Sequence, residues 1–365
     1  MMSLPSMKPP QRVLLIATRR IGDVLLTTPL LHSLRQAWPQ AEIDVLVFLN
    51  TDGVLRSNPD IHQIITVPEH PGFWQHCKLF LRLLRRYDLA VSTLTGDKPT
   101  LYAWVAGKYR IGLLSTEPKQ RWKQHLLNQW VAFDNLNTHT VLMNLQLAQR
   151  LGIPPSYAVR ATWTPQNAAQ LAAIMPFDID AEDYAVLHVY PKFAYKTWHE
   201  QGWQDLAQYL HARGMRVVLT GSHAADELAY VADIFRALPG NAVNVAGKLS
   251  LAESACLLHG AKIYVGPDTV MTHMAAALGT PTVALFGPSN PVKWGPWPHG
   301  YTSPRNPYQL RGTQQVEKVI LVQGAGECVP CMEEGCERHV NSLSACLQNM
   351  PSPKVIAAVQ TLLDG

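Results

Sequence analysis

From Lys262 to Phe286 the chain runs through a short β-branched apolar stretch, a Gly-Pro-Asp turn, an alanine-rich helical stretch closed by Gly279, and a second apolar run at Thr282 to Phe286. Strand, helix and strand packed so tightly in sequence form a crossover between parallel strands. That restricts the chain to α/β architectures. The same alternation extends upstream, with strands expected at Tyr184 to Tyr190, Arg216 to Leu219, Ala242 to Val245 and Lys262 to Val265. Helices are expected at Gln201 to Arg213, Ala224 to Leu238, Leu251 to His259 and Thr269 to Leu278, with Gly214, Gly260 and Gly279 as their C-terminal stops.

The first half repeats the theme. Arg12 to Ala17 and Glu42 to Phe48 read as strands, Asp23 to Trp38 has helical apolar spacing, and further strands are expected at Gln63 to Val67 and Leu89 to Leu94. Between the halves, Thr164 to Asp183 carries Pro165, Pro176 and several acids, the look of a helix leading into a linker. With 365 residues, the chain exceeds one core of ordinary size. Two doubly wound domains are therefore expected, residues 1–175 and residues 176–365.

Charge narrows the partners. A net charge of +4 and a pI near 8.7 fall short of the basic stripe of a nucleic-acid binder, so no nucleic acid is expected. The apolar run Val13 to Ala17 is too short for a signal sequence, and no run reaches the length of a membrane span. A cytoplasmic location is the expectation.

Doubly wound sheets bind ligands beyond the carboxyl ends of their strands, so the loops after strands carry the chemistry. After the first strand stands Thr18-Arg19-Arg20-Ile21-Gly22-Asp23, which is no GxGxxG fingerprint. Asp23 suits a helix cap, or a general base with Arg19 and Arg20 drawing in an anion. After the first strand of the second half, Lys192 and Lys196 either neutralise a diphosphate or are solvated surface charge.

Thr220-Gly221-Ser222 and Gly247-Lys248-Leu249 occupy similar loops, where glycine permits close approach and Ser222 is suited to capping or to bonding a ligand. The helix start at Thr269 presents free backbone N–H groups and a positive dipole end, a place for a phosphate, to which Thr269 and Thr272 add hydroxyls. Asp268 would repel that phosphate. It is expected to cap the helix or to accept bonds from sugar hydroxyls.

Taken together, Gly22-Asp23 with Thr28-Pro29, Lys196 two residues before Trp198, Gly247-Lys248, and the stretch Asp268 to Pro288 resemble the lipopolysaccharide heptosyltransferase family, over Arg12 to about Trp297. The resemblance implies the GT-B fold, two Rossmann-like domains facing a cleft, with acceptor on the N-terminal and nucleotide sugar on the C-terminal domain. It implies an inverting transfer of heptose from ADP-L-glycero-D-manno-heptose to the lipopolysaccharide inner core, with no catalytic metal.

Carried residue by residue, the resemblance makes Asp23 the base and has Lys196 hold the diphosphate with the helix start from Thr269 through Val270 and Thr272 to His273. Thr220, Gly221, Ser222, Gly247, Lys248, Leu249 and Asp268 would border the nucleotide sugar. Arg19, Arg20, Gly22 and Lys98 would meet the acceptor, with Lys108 a further basic candidate. The acceptor's lipid anchor implies peripheral contact with the cytoplasmic face of the inner membrane.

Two departures stand out. Asp268-Thr269-Val270 replaces the family's common Asp-Thr/Ser-Gly and resembles the heptosyltransferase III branch, and Pro191-Lys192 replaces a hydroxyl pair that some members carry. The alternatives are a related GT-B transferase or epimerase using another nucleotide sugar, or a non-catalytic binding module of the same fold.

Four of the six cysteines cluster as Cys328-x2-Cys331-x4-Cys336-x9-Cys346, with His339 a possible substitute ligand. In a cytosolic chain this spacing fits a structural zinc ion or a set of free or redox-paired thiols. Cys77 and Cys256 stand apart and are expected to be core thiols.

Overall fold

The computed structural model describes residues 8–365 as two compact units. The first runs to Arg160 and includes Thr302–Arg305; the second comprises Ala161–Tyr301 and Asn306–Gly365.

The first unit holds a six-stranded sheet: β1 (Arg12–Ile16), β2 (Glu42–Phe48), β3 (Gln63–Val67), β4 (Tyr87–Ser92), β5 (Gly107–Leu114) and β6 (Gln129–Ala132) in the order β3-β2-β1-β4-β5-β6. Every pairing is parallel. Its helices are α1 (Ile21–Leu25), α2 (Thr28–Ala37), α3 (Phe73–Leu83), α4 (Asp97–Ala106) and α5 (Thr140–Arg150). The strands are near-continuous apolar runs, such as Val13 to Ile16, because a parallel sheet is covered on both faces.

The single helix expected over Asp23 to Trp38 is two. Pro29, at the start of α2, has no N–H to give and its ring crowds the preceding turn. The hydroxyls of Thr27 and Thr28 instead donate to the carbonyls of Val24 and Leu25, both at 2.7 Å. Strands β5 and β6 carry no clear periodic signal, because Gly107, Lys108, Arg110 and Gly112 interrupt the apolar pattern of one and the other spans four residues.

The second unit opens with α6 (Pro165–Ile174), capped by Thr164 in a capping box with Asn167. Residues 161–175 were expected in the first domain. The change of unit falls after Arg160 because Arg160 is tied back to Asp60 at 3.1 Å and to the Thr28 hydroxyl through its N–H at 2.9 Å. Just beyond, Trp163 packs on His259, ring centres 5.1 Å apart, within the second unit.

Its strands are β7 (Tyr184–His188), β8 (Arg216–Thr220), β9 (Val243–Asn244), β10 (Ile263–Pro267), β11 (Thr282–Phe286), β12 (Gln314–Val316) and β13 (Val319–Gln323), in the order β12-β13-β11-β10-β7-β8-β9. Only β12 is antiparallel, closing the edge as a hairpin with β13. The helices are α7 (Glu200–Ala212), α8 (Ala225–Arg236), α9 (Leu251–Gly260), α10 (Val270–Leu278), α11 (Pro291–Trp294), α12 (Ala345–Gln348) and α13 (Ser352–Asp364). Read from β9, the parallel strands repeat the winding of the first unit: third, second, first, fourth, fifth, sixth.

Gly214 and Gly279 end their helices at φ +79° and +80°, as expected. Gly260 does not. It lies inside α9 with Ala261 as the cap, and glycine is required there because a Cβ would come within 2.5 Å of the Tyr184 hydroxyl.

Candidate active site

In the second unit the winding reverses between β7 and β10, the place where doubly wound sheets hold ligands. The loop after β7 carries Lys196 and the loop after β10 carries Asp268. Lys196 Nζ donates to Asp268 Oδ2 at 2.5 Å and lies 3.3 Å from the Asp268 carbonyl oxygen, and His273 Nε2 lies 3.7 Å from Oδ1. Burial alone would raise the Asp268 carboxyl; the Lys196 ammonium and the His273 ring outweigh it and hold the group well below the usual carboxylate range. Asp268 is thus a buried anion with two basic neighbours.

Asp268 is not the cap of α10. Thr269 occupies the N-cap position, with no side-chain capping bond, so the backbone N–H groups of this helix start are not covered by a capping side chain. Among the described residues, buried Thr269 Oγ1 and His273 Nδ1 have no hydrogen-bond partner. Orphaned polar atoms at a positive helix end are what an anionic ligand would satisfy. Thr272 is different, since its hydroxyl donates to the Pro267 carbonyl and meets the Tyr264 hydroxyl at 2.9 Å. It holds the turn together. Gly266 makes that contact possible, because a Cβ there would lie 2.1 Å from the Tyr264 hydroxyl.

Three other predicted ligands are engaged internally. Thr220 Oγ1 is buried 3.1 Å from His188 Nδ1, and Ser222 donates to Glu227 while accepting from the N–H of Ala224 at 3.2 Å, holding the turn before α8. Lys248 Nζ donates to the Asn244 carbonyl at 3.1 Å. Gly221 and Gly247 join their two loops, Gly247 N–H to Gly221 carbonyl at 2.9 Å, with Gly247 at φ +73°. Leu249 and Val270 are half-buried, and Lys192 is exposed. A recess of about 400 Å³ touches Lys248, Asn244 and Phe235, but neither Lys196 nor Asp268 lines it.

The Lys196 loop is held from behind by a segment that local motifs did not single out. Ser344 donates to the Tyr195 carbonyl at 2.6 Å, Gln348 to the Thr197 carbonyl at 2.7 Å, and the Trp198 indole to the Met350 carbonyl at 2.8 Å. This support adjoins the cysteine cluster. Cys328 and Cys336 are exposed, Cys331 and Cys346 half-buried, and all are free thiols. Burial, then the neighbouring Cys331, Cys336 and Cys328, push the Cys346 thiol up to about 11. Among the described residues no three His, Cys, Asp or Glu side chains converge as a preformed metal cage. Cys77 and Cys256 are half-buried, not core thiols, because each leaves part of its surface open on a helix flank.

In the first unit, Asp23 is half-buried in the first turn of α1. The cap position belongs to Arg20, whose side chain makes no capping bond, so helix capping does not define Asp23. A carboxylate there is stabilised by the helix dipole. Arg19 and Arg20 are exposed, Gly22 is half-buried, and exposed Lys98 reaches the Glu69 carbonyl at 3.4 Å. Lys108 is paired with Asp88 at 2.9 Å. Lys123 is fully buried, donating to the Thr95 carbonyl in the loop after β4 at 2.7 Å and pairing at 2.5 Å with Asp97, the first residue of α4.

The profile of glycosyltransferase family 9 (heptosyltransferase) matches residues 77–321. The chain belongs to this family. As a family 9 glycosyltransferase it is 30% identical over 294 residues to lipopolysaccharide heptosyltransferase 3 of Escherichia coli K12, covering 76% of this chain and 82% of the relative. Its fold matches E. coli ADP-heptose LPS heptosyltransferase II with a TM-score of 0.73 at 21% identity, covering 96% of this chain and 98% of that one. E. coli heptosyltransferase WaaC, solved with ADP, aligns at TM-score 0.66 and 22% identity over 86% of this chain and 94% of that one. The GT-B fold and glycosyltransferase activity expected from the sequence are those of its family.

Proposed function

We propose that this family 9 glycosyltransferase moves heptose from ADP-L-glycero-D-manno-heptose to the lipopolysaccharide inner core, with inversion at the anomeric carbon. The observation that carries the reading is the Lys196–Asp268 pair beside the uncapped start of α10, at the switch point of the second sheet. Similarity to a lipopolysaccharide heptosyltransferase 3 supports the donor and acceptor classes.

In this reading Asp23 takes the proton of the acceptor hydroxyl as its oxygen bonds to the anomeric carbon. The bond from that carbon to the diphosphate breaks on the opposite side, and ADP leaves with the electron pair. Lys196 and the N–H groups opening α10 stabilise the charge that grows on the departing diphosphate. Asp268 holds Lys196 and His273 in place and accepts from sugar hydroxyls. Arg19, Arg20 and Lys98 attract the acid groups of the acceptor, and Gly221, Gly247, Lys248 and Leu249 border the nucleotide. No helix of the described residues is long and apolar enough to cross a membrane. The acceptor's lipid anchor is what supports peripheral attachment at the inner membrane's cytoplasmic face.

Mass spectrometry of the product formed from ADP-heptose and a truncated core acceptor tests the assignment. A mass increase of one heptose is expected; preference for a uridine donor would overturn it.

A structural zinc ion at Cys328, Cys331, Cys336 and Cys346 is a separate proposal, supported by the CxxC spacing. Their side chains would have to draw together around the ion, and no step of transfer passes through it. Stoichiometric zinc in protein purified under reducing conditions is the expected result, and its absence defeats the proposal.

A further inference from the structure

Helix α3 is apolar on two faces, and the fold uses one of them. Leu79 and Leu83 are buried, and Phe80 and His76 pack on Tyr102 of α4 at ring distances of 5.9 and 6.4 Å. The other face stays in solvent: Phe73 is 73% exposed, Trp74 75% and Leu81 75%, with Leu84 just past the helix end at 59%. Folding leaves four large apolar side chains within twelve residues uncovered, and exposed apolar groups gathered in this way mark contact surfaces.

The charges around the patch say what it fits. Residues 74, 78, 81 and 82 recur at helical spacing as Trp, Lys, Leu and Arg, so cations flank apolar groups along one face of the helix. Between His70 and Tyr87 stand Lys78, Arg82, Arg85 and Arg86 and no acid. Long basic side chains can lay their stems beside buried apolar groups while their heads stay in a polar layer. Tryptophan favours that same layer, with its ring in the apolar boundary and its N–H in the wet one.

Among the described residues every exposed tryptophan belongs to the first unit. Trp198, Trp203 and Trp297 of the second are buried, while Trp74, Trp104, Trp122 and Trp130 of the first are exposed by 75%, 42%, 46% and 37%.

We propose that the outward face of α3 docks on an anionic lipid bilayer, with Phe73, Trp74, Leu81 and Leu84 entering the headgroup boundary and Lys78, Arg82 and Arg86 meeting lipid phosphates. Arg85 is partly committed, since it donates to the Gly107 carbonyl at 2.9 Å. An apolar face ringed by cations is the pattern of a helix lying in the interface plane, and its binding adds buried apolar area to attraction for anionic headgroups. The inference deepens the proposed membrane contact and rests on that reading for its purpose, while its geometry stands apart from the transfer chemistry.

Flotation of the full chain with vesicles separates the two. The chain is expected to float with phosphatidylcholine vesicles containing phosphatidylglycerol, and far less with phosphatidylcholine alone. The Trp74→Ser/Leu81→Ser variant should lose vesicle binding by about tenfold or more, and Lys78→Glu/Arg82→Glu likewise. Both variants should keep the wild-type melting temperature and wild-type transfer to a soluble core acceptor. Failure of the wild type to float, equal flotation with neutral vesicles, or wild-type flotation by a correctly folded Trp74→Ser/Leu81→Ser protein would overturn the docking surface. Failure to transfer heptose while flotation holds would overturn the proposed reaction and leave the surface standing.

Discussion

Lys196 Nζ sits 2.5 Å from Asp268 Oδ2 across the two central strands of the second sheet, with 17% of the lysine side chain and 8% of the aspartate side chain exposed. Removing one partner from a pair this buried strands the other charge. Lys196→Ala should cost about 3 kcal/mol of stability and lower kcat roughly 100-fold or more, since the leaving diphosphate loses its cation. The double variant Lys196→Met/Asp268→Leu should recover most of the stability and none of the turnover. Chemical denaturation and steady-state kinetics on the three proteins check this, and wild-type turnover in Lys196→Ala would remove the lysine from the mechanism.

Asp23→Ala separates chemistry from donor binding. If its carboxylate takes the acceptor proton, transfer should fall by about 100-fold to 10,000-fold, the range of general-base catalysis, while ADP affinity by calorimetry stays at the wild-type value. Asp23 is in the first unit, so the donor loops of the second keep their own bonds. A fall in ADP affinity with turnover intact would reverse the assignment.

Periodicity carried much of the fold, and it worked at most strands buried on both faces, though not at β13, which is as buried as the rest. The runs Val13 to Ile16 and Thr282 to Phe286 are apolar throughout because helices cover both sides of the sheet. It failed at β5, where Lys108 and Arg110 answer to Asp88 and Asn128 rather than to the core. In the second unit, the start of α10 was legible from a strand, a turn and a helix in succession. The Asp268 pairing was not, because Lys196 is 72 residues away and only the β7–β10 adjacency joins them. Thr272 is the converse case. Its hydroxyl suited a ligand by position, yet Tyr264 and Pro267 already use it.

Ser344→Ala should weaken donor use without touching any group assigned to the reaction. The Ser344 hydroxyl is the buried donor to the Tyr195 carbonyl, one residue before Lys196. Its loss leaves that carbonyl without its bond and should cost about 1–3 kcal/mol. A looser loop predicts a higher KM for the donor and a lower kcat, with rescue by Ser344→Thr. Identical kinetics in wild type and Ser344→Ala would show that the C-terminal segment does not position the lysine.

His188 makes stability depend on pH at the lower edge of the neutral range. It is buried at the end of β7, and burial, which outweighs the opposing pull of Glu227, holds its ring below its ordinary titration range. The folded chain therefore keeps His188 neutral where the unfolded chain, titrating near about 6.5, has taken up a proton. The sign follows: the unfolded state binds more protons below about 6.5, so stability is full above that pH and falls as pH drops through it, by at most about 1.4 kcal/mol per unit for one proton. Asp268, held low by its partners, stays ionised through this window and adds no slope. His188→Gln can keep a polar contact to Thr220 without taking up the proton. Denaturation at about pH 7.5 and about pH 5.5 should show a smaller loss in the variant than in the wild type. Equal losses in the two proteins would assign the slope to other histidines.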